Sequence, residues 1–187
     1  MDLASWERRY HAEADAGTLA SAPTALLVET ASVLPPGRAL DLACGTGRNA
    51  LWLAQRGWSV TAIDGSSTAI QVLRDRAAHS RVTVATQVAD LEKPEFTIEP
   101  GRWDLIAICY YLQRGLFELS KRGLVSGGVI VAIALLTEPG KDNSFRLEPG
   151  ELRRYFNDWE ILHYREGRDP CNTTPPRSSP ASPSEIH

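Results

Sequence analysis

The feature that most constrains this chain is a glycine-rich turn between an apolar strand and a helix. The run Asp41–Gly47, with the sequence DLACGTG, follows the apolar pair Ala39 and Leu40 and precedes a helical pattern at 49–54. Such a turn places bare backbone at the positive N-terminus of a helix, where a ligand can lie against it. The chain is therefore expected to be an α/β protein with a ligand site at this turn.

Composition and charge exclude several classes of protein. The 187 residues carry a formal net charge of −3, which argues against a nucleic-acid partner held mainly through phosphate contacts. Cys44, Cys109 and Cys171 lie too far apart for a disulfide framework and have no histidine partner at metal spacing, so we expect no metal site. The charged N-terminus does not look like a signal peptide, and no apolar run is long enough for a membrane span. We therefore expect a cytoplasmic protein without a membrane partner.

Strands and helices alternate through most of the chain. Two predicted strands, 103–108 and 129–136, are near-continuous apolar runs, which is typical of strands buried on both faces. The alternation predicts a doubly wound, mostly parallel sheet with helices on each side. The other predicted strands are residues 38–42, 59–63, 81–88 and 159–164.

Helices are predicted between these strands. Residues 5–20 are predicted to form a short helix or lid. The helix that opens at Pro23 is expected to carry one apolar side, made of Leu26, Leu27, Thr30, Val33 and Leu34. Further helices are predicted at 47–55, at 113–124 and after Pro149, and Gly127-Gly128 is expected to end the second of these. Another helix is predicted to start at the cap Ser66, with Ile70, Leu73 and Ala77 facing inward.

This organisation divides the chain into three segments. Residues 1–22 are expected to form the N-terminal helix or lid, residues 23–168 the ligand-binding domain, and residues 169–187 a tail. The tail holds five of the twelve prolines, many serines and almost no apolar residues. We therefore expect the tail to be flexible.

Three aspartates are predicted to lie at one edge of the sheet. Asp41, Asp64 and Asp90 close the first, second and third strands, and parallel sheets bind ligands at the carboxyl ends of their strands. Asp64 can accept hydrogen bonds from both hydroxyls of a ribose, and Asp90 can accept one from an adenine amino group. Asp41 can order the glycine turn and favours a cationic ligand end.

Two ligand classes use a turn of this kind, namely dinucleotides and S-adenosylmethionine. Residues 45–50, GTGRNA, satisfy the dinucleotide pattern G-x-G-x-x-A. The carboxylate of Asp41 would repel a pyrophosphate but attract a sulfonium and an ammonium group. Asp90 adds a negative charge that a nicotinamide enzyme does not need. The residues favour S-adenosylmethionine, and a nicotinamide-dependent oxidoreductase is the alternative.

A block of sequence around the turn also carries a family resemblance. It consists of residues 39–50, ALDLACGTGRNA, then Trp52–Ala54, Gly57-Trp58 and residues 60–64, VTAID. This block resembles class I S-adenosylmethionine-dependent methyltransferases, in particular the small single-domain branch with tellurite-resistance and thiopurine-type enzymes. The resemblance covers about residues 5–166, and weaker matches follow in the expected order at 6–10, 90–91, 111–114, 127–129 and 147–152.

The resemblance implies a Rossmann-like methyltransferase fold with S-adenosyl-L-methionine as cofactor and S-adenosyl-L-homocysteine as product. It implies that Asp41, Gly45 and Gly47 hold the methionine part of the cofactor and that Asp64 holds the ribose. Asp90 and the backbone amide of Leu91 are implied for the adenine.

The remaining implied contacts concern the methionine end. A backbone carbonyl of Cys109 or Tyr110 is implied for the ammonium, and Arg9 or Tyr10 on the lid for the carboxylate. The full set of expected cofactor-binding residues is Arg9, Asp41, Ala43, Gly45, Gly47, Asn49, Asp64, Gly65, Asp90, Leu91, Cys109 and Tyr110.

One departure from the family concerns the end of the sheet. Such proteins usually insert an antiparallel seventh strand beside the fifth, but nothing after Tyr164 alternates like a strand. The seventh strand is therefore expected to be missing or altered. Strand 5 or 6 would then be an open edge, and a monomer or a homodimer is expected.

The methyl acceptor is expected to be a small molecule, because 187 residues leave no room for a separate recognition domain. A thiol, a selenium or tellurium oxyanion or a similar group is expected, since a soft nucleophile needs little help from a base. Positioning and desolvation can then supply most of the rate. Candidate pocket residues are Tyr10, His11, Tyr110, Tyr111 and Arg114, with Phe145 and Arg146 on the loop after strand 5.

Four of these candidates have a plain structural alternative. His11 can be a solvated helix residue, and Arg114 can simply pair with a surface acid. Tyr110 and Tyr111 alternate in direction, so one of the two is expected to pack inward. For the whole chain, a non-catalytic protein that binds S-adenosylmethionine remains an alternative to an active methyltransferase.

Overall fold

The computed structural model describes residues 3–17, 19–140 and 143–167. Within these ranges the chain forms six helices and five strands. In chain order they are α1 (Leu3–Asp15), α2 (Ala25–Ser32), β1 (Arg38–Leu42), α3 (Arg48–Gln55), β2 (Ser59–Asp64), α4 (Ser67–Ser80), β3 (Val84–Val88), β4 (Trp103–Cys109), α5 (Gly115–Gly123), β5 (Leu124–Ile133) and α6 (Glu151–Tyr155).

The five strands form one parallel sheet in the order β3-β2-β1-β4-β5. The order reverses direction beside β1, which lies at the centre with β2 on one side and β4 on the other. In register, Asp41 of β1 lies opposite Ala62 of β2 and Ala107 of β4. The expected doubly wound parallel sheet is confirmed, and its switch point lies at the glycine turn after β1.

Alternate residues of the central strands enter two separate cores. On one face, Ala39 and Ala62 pack with buried side chains of α2, α3 and α4, including Leu27, Leu53 and Leu73. On the other face, strand residues pack against Leu116 and Phe117 of α5 and against side chains of α6. These strand residues are Leu40, Leu42, Ile63, Ile106 and Ile108. Both faces of the sheet are covered by helices, so the near-continuous apolar strands are explained.

The fifth strand begins earlier than the sequence predicts. α5 ends at Gly123, and Gly127-Gly128 lie inside β5 rather than between helix and strand. Leu124 pairs with Trp103 and Val129 with Leu105, so residues 125–128 form an irregularity in the ladder. The predicted helix end at 124 agrees to within one residue, but the predicted start of strand 5 is wrong because tertiary pairing with β4 recruits residues before the glycines.

Two further boundaries differ. β3 begins at Val84 instead of residue 81, because Arg81 adopts a left-handed conformation (φ 56°) that closes α4. Val33, expected on the inner side of α2, is 82% exposed and lies just beyond the helix. The predicted Leu27 is buried and Leu26 and Leu34 pack against the core as expected, while Ala31 is a further buried residue of α2.

The strand predicted at residues 159–164 does not form. Trp159 packs edge-on against Phe156, with ring centroids 6.2 Å apart, and Leu162 is 70% exposed. A groove of about 160 Å³ separates the outer edge of β5 from this irregular segment. Among the described residues no antiparallel strand pairs with β5, and residues 169–187, which carry the expected flexible tail and Cys171, lie outside them.

Two further findings apply to the described part of the chain. None of its helices is both long and apolar enough to span a membrane. Within the same residues no cluster of histidine, cysteine, aspartate and glutamate side chains could hold a metal ion.

Gly47 fixes the distance between the turn and α4. Its φ of 83° is left-handed, and a Cβ at this position would overlap the side chain of Leu73, which is fully buried. Gly101 also has a left-handed φ, of 59°, but a Cβ there would meet nothing within 4 Å.

We therefore expect Gly101→Ala to lower the free energy of unfolding by about 1 kcal/mol, the cost of the left-handed backbone alone. Gly47→Ala adds overpacking against Leu73 and is expected to cost about 3 kcal/mol in total. Urea denaturation of both variants measures these changes. Equal losses of unfolding free energy in the two variants would show that Leu73 does not constrain the turn.

Candidate functional site

The carboxyl ends of β1 and β2 meet at the glycine turn. Ala43, Gly45 and Gly47 have φ values of 52°, 54° and 83°, so the backbone turns repeatedly through left-handed conformations. The amide of Cys44 donates to the carbonyl of Ile63 at 3.1 Å, which keeps the turn attached to β2. A non-glycine residue in this conformation is uncommon, and strain of this kind is concentrated at functional sites.

Asp64 joins the turns after β1 and β2. Its Oδ2 accepts from the amide of Gly45 at 2.8 Å, and its Oδ1 accepts from the amide of Ser66 at 2.9 Å. Ser66 in turn caps α4, since its Oγ accepts from the amide of Ala69 at 3.0 Å. Burial raises the pKa of Asp64, and the hydrogen bonds from Ser66 and Gly45 oppose that rise. The carboxylate keeps lone pairs for further donors such as hydroxyl groups.

Asp41 is the most unusual charged group of the site. It is 1% exposed, and among the described residues its Oδ2 has no hydrogen-bond partner. Burial raises its pKa to about 7, against the lowering effect of a hydrogen bond from the backbone of Ala50. A buried carboxylate oxygen without a donor is costly. The residue therefore fits a ligand that brings a cationic or hydrogen-bond-donating end to the turn.

Asp90 lies beyond the end of β3 on the same edge of the sheet. Its Oδ1 accepts from the amide of Glu92 at 3.0 Å, a turn contact that leaves the other oxygen for a ligand. The next residue, Leu91, is buried. The amide of Ala89 donates to the carbonyl of Asp64 at 3.0 Å, so this segment is attached to the end of β2. Position and chemistry thus agree with the expected adenine contact, which stays a prediction.

Residues after β4 complete the edge of the sheet. Cys109 ends β4, and burial raises the pKa of its thiol to about 12, so it is not a thiolate nucleophile. Tyr110 has a left-handed φ of 63°, and its amide donates to the carbonyl of Ile133 at 2.7 Å. The guanidinium of Arg48 lies over its ring, 5.3 Å from the centroid. Burial raises the pKa of Tyr111, as do the nearby acids Glu92 and Asp90.

Helix α1 covers the two turns. The hydroxyl of Tyr10 lies 2.8 Å from the point where a Cβ of Gly45 would stand, and Leu3 lies equally close to the corresponding point at Gly65. Burial raises the pKa of Tyr10, and the charge of Asp64 raises it further. Helix α1 therefore lies over the site with Tyr10 directed at the first glycine, and its role as a lid stays a prediction.

Several predicted site residues have other partners. Arg9 forms an ion pair with Glu13 at 2.6 Å, and its guanidinium lies over the ring of Trp6. Both of these contacts of its charged group are therefore with residues of α1. Asn49 is buried, and its Oδ1 accepts from the amide of Thr24 at 2.9 Å, which attaches the start of α2 to α3. Their expected cofactor contacts stay predictions.

The predicted acceptor residues do not all converge. Arg114 forms an ion pair with Glu151 at 2.6 Å, which agrees with the alternative that it pairs with a surface acid. Arg146 pairs with Glu138 at 2.9 Å, and Phe145 is exposed on the same loop. The Nε2 of His11 lies 2.8 Å from the Oγ1 of Thr68. Among the acceptor candidates, Tyr10, Tyr110 and Tyr111 lie nearest the strand ends by these contacts.

Sequence reasoning missed Glu7 as a residue of the site. Its carboxylate accepts hydrogen bonds from the first turn of α4, about 60 residues away in the chain. The segment Trp6–Tyr10 was marked by the resemblance, but no local pattern predicts a contact over this distance.

A cavity of about 450 Å³ lies elsewhere, between the outer sides of α3 and α4. None of the predicted site residues lines it. Arg76, on its wall, donates to the carbonyl and the Oγ1 of Thr46 at 3.0 and 3.1 Å and so supports the glycine turn from behind. The candidate site is therefore assigned to the strand ends, where Oδ2 of Asp41 has no partner among the described residues, and not to this cavity.

A comparison with known families agrees with this arrangement. The family model of the tellurite resistance protein TehB matches residues 20–174. The chain belongs to the TehB family. The match confirms the resemblance to S-adenosylmethionine-dependent methyltransferases.

Individual relatives point the same way. A protein of Haemophilus influenzae named "Probable S-adenosyl-L-methionine-dependent methyltransferase TehB" is 26% identical over 159 residues, which are 79% of this chain and 54% of that protein. "Hemagglutinin 1" of Eikenella corrodens is 27% identical over 146 residues, 74% of this chain and 49% of that protein. The chain thus spans about half the length of the curated relatives it matches.

The fold also agrees with a solved structure. The crystal structure of TehB from Haemophilus influenzae matches with a TM-score of 0.71 and 26% identity, over 79% of this chain and 55% of that one. The Rossmann-like methyltransferase fold expected from the sequence is therefore confirmed.

The buried charge of Asp41 gives a prediction about pH. Because its folded pKa is raised above its unfolded value, the protonated form stabilises the fold at low pH, and this contribution is lost as the pH rises through about 7. Asp41→Asn keeps the shape and cannot ionise. We expect the difference in unfolding free energy between this variant and the wild type to shift in favour of the variant by on the order of 2 kcal/mol as the pH rises from 5 to 8.

Chemical denaturation at the two pH values measures the gain. Asp75→Asn, which changes an exposed aspartate on α4, serves as the control and is expected to show no such trend. A pH-independent difference for Asp41→Asn would contradict the assignment of Asp41 as a buried carboxylate with a raised pKa.

Proposed function

We propose that this chain is an S-adenosyl-L-methionine-dependent methyltransferase that acts on a small-molecule acceptor by in-line transfer. The observation that carries the proposal is Asp41, whose buried Oδ2 has no partner in the described structure. A dinucleotide pyrophosphate would increase the cost of that charge, whereas an ammonium or sulfonium end would lower it. S-adenosyl-L-homocysteine is the corresponding product.

Each element of the strand edge then has a role in binding. Asp41 and the bare backbone at Gly45 and Gly47 hold the methionine part, with a carbonyl of Cys109 or Tyr110 for the ammonium. Asp64 accepts from the ribose hydroxyls with the lone pairs that Gly45 and Ser66 leave. Asp90 and Leu91 hold the adenine.

The chain's own residues contribute positioning and exclusion of water. The bound cofactor supplies a methyl group that is already activated by the sulfonium. Tyr10 and Tyr111 have raised pKa values from burial, so both phenols stay protonated and can close the site without adding charge. The charge of Arg114 is compensated by Glu151, which argues against a strong anion clamp at that place.

The side chains near the strand ends bear on which kind of acceptor the site can methylate. Among the described residues, the thiol of Cys109 is protonated and His11 is directed to Thr68, so neither is placed to act as a strong base. A soft nucleophile, such as a thiol or a selenium or tellurium oxyanion, needs the least proton transfer. We further propose a cytoplasmic monomer or homodimer without a nucleic-acid or membrane partner.

Turnover with methyl-labelled S-adenosylmethionine tests the proposal. We expect label transfer to at least one member of a panel of thiols, selenite, tellurite and phenols. Asp64→Asn is expected to weaken binding of S-adenosylhomocysteine by at least about tenfold, because it loses charge-assisted hydrogen bonds to the ribose.

Asp104→Asn is a matched control. Asp104 also accepts from a backbone amide, that of Arg38 at 2.7 Å, but at the opposite end of the sheet, so its substitution is expected to leave binding unchanged. Binding without transfer to any acceptor would favour a non-catalytic binding protein. Hydride transfer from a nicotinamide cofactor would overturn the proposal in favour of an oxidoreductase.

A further inference from the structure

Helix α1 is held in place with little apolar burial. None of its residues is fully buried, and Trp6 and Tyr10 are only partly so, although it packs along the start of α4 and covers the glycine turn. Apolar contact is the usual means by which a surface helix attaches to a domain. The position of α1 must therefore depend to a large extent on polar contacts.

Glu7 accepts four hydrogen bonds from the N-cap and first turn of α4. Its Oε1 accepts from the Oγ of Ser67 at 2.7 Å, from the amide of Thr68 at 3.1 Å and from the Oγ1 of Thr68 at 3.0 Å. Its Oε2 accepts from the Oγ of Ser66. One carboxylate thus engages the N-cap Ser66 and the first two residues of α4.

The charge of Glu7 suits this place. The first amides of a helix have no partner within the helix and carry a partial positive charge, so a carboxylate is stabilised there. Burial acts to raise the pKa of Glu7, but the hydrogen bonds from Ser66, Ser67 and Thr68 outweigh it and lower the pKa to about 2. The carboxylate therefore remains charged throughout the neutral range.

The other contacts of α1 follow from the position that Glu7 fixes. His11, one turn further along, meets Thr68, and Tyr10 reaches Gly45. With the hydroxyl of Tyr10 against the first glycine, the turn that is to hold the methionine part is covered from outside. Gly45 itself is buried, so α1 in this position lies across the approach to it.

We propose that Glu7 holds the α1 lid closed on α4 and thereby controls the rate at which cofactor and product enter and leave the site. The inference rests on the proposed function, because it assumes that the covered cleft binds S-adenosylmethionine. Glu7 is in this account a positioning residue, since it contacts α4 and directs Tyr10 without touching the reacting atoms.

Three variants test the inference. Glu7→Ala removes all four hydrogen bonds, and Glu7→Gln keeps an acceptor but removes the charge. Glu13→Gln is the control, because it removes the same charge from the same helix, where Glu13 pairs with Arg9 of α1. Each variant is examined without ligand by amide hydrogen exchange and then with S-adenosylhomocysteine by stopped-flow fluorescence.

We expect faster hydrogen exchange in α1 and at the amide of Thr68 in the order wild type, Glu7→Gln, Glu7→Ala. Loss of several charge-assisted hydrogen bonds is expected to raise both the association and the dissociation rate constants about tenfold in Glu7→Ala, with a smaller rise in Glu7→Gln. The equilibrium affinity is expected to change much less than either rate constant. Glu13→Gln is expected to stay close to the wild type in both measurements.

Two results would overturn the inference. Unchanged exchange in α1 would show that Glu7 does not hold the lid. Faster exchange with unchanged rate constants would show that the lid does not control access. If the wild type binds no S-adenosylhomocysteine, the proposed function and the control of access fail together, while hydrogen exchange still decides whether Glu7 holds α1.

Discussion

The rest of the site depends on the carboxylate of Asp64. By accepting from Gly45 at 2.8 Å and from Ser66 at 2.9 Å, it fixes the turn after β1 and the start of α4 relative to each other. Both contacts satisfy backbone amides that would otherwise be buried without a partner. The lid depends on the same arrangement, because Glu7 binds the first turn of α4 and places Tyr10 over Gly45.

Asp41 has the opposite character, because the fold leaves it in an unfavourable state. Asp41 lies one residue from the end of the central strand, between β2 and β4, and is only 1% exposed. Stability would favour a neutral residue at this position. A ligand with a cationic end would remove the cost of burying this carboxylate when it binds. The unfavourable state of Asp41 in the free protein would therefore favour such a ligand over an anionic one. This relation connects the sheet topology with the proposed choice of cofactor.

Local signals predicted the central part of the molecule well. The strand, glycine turn and helix around Asp41–Gly47, the cap at Ser66 and the inward face of α4 depend on neighbours in the chain, and the structure has them as expected. The errors lie where distant contacts decide. Pairing with Trp103 moved the start of β5 to Leu124, and packing of Trp159 on Phe156 replaced the strand predicted there. Glu7 could not be predicted for the same reason, since its partners lie on another helix.

The most direct test of the central claim is a calorimetric titration of the wild-type chain with S-adenosylhomocysteine and with NAD near pH 7, in two buffers of different ionisation enthalpy. The account predicts binding of S-adenosylhomocysteine but not of NAD. It also predicts release of protons on binding, because the ligand's ammonium group lowers the pKa of Asp41 from its value of about 7. Binding of NAD in preference, or binding of S-adenosylhomocysteine without any proton release, would contradict the role assigned to Asp41.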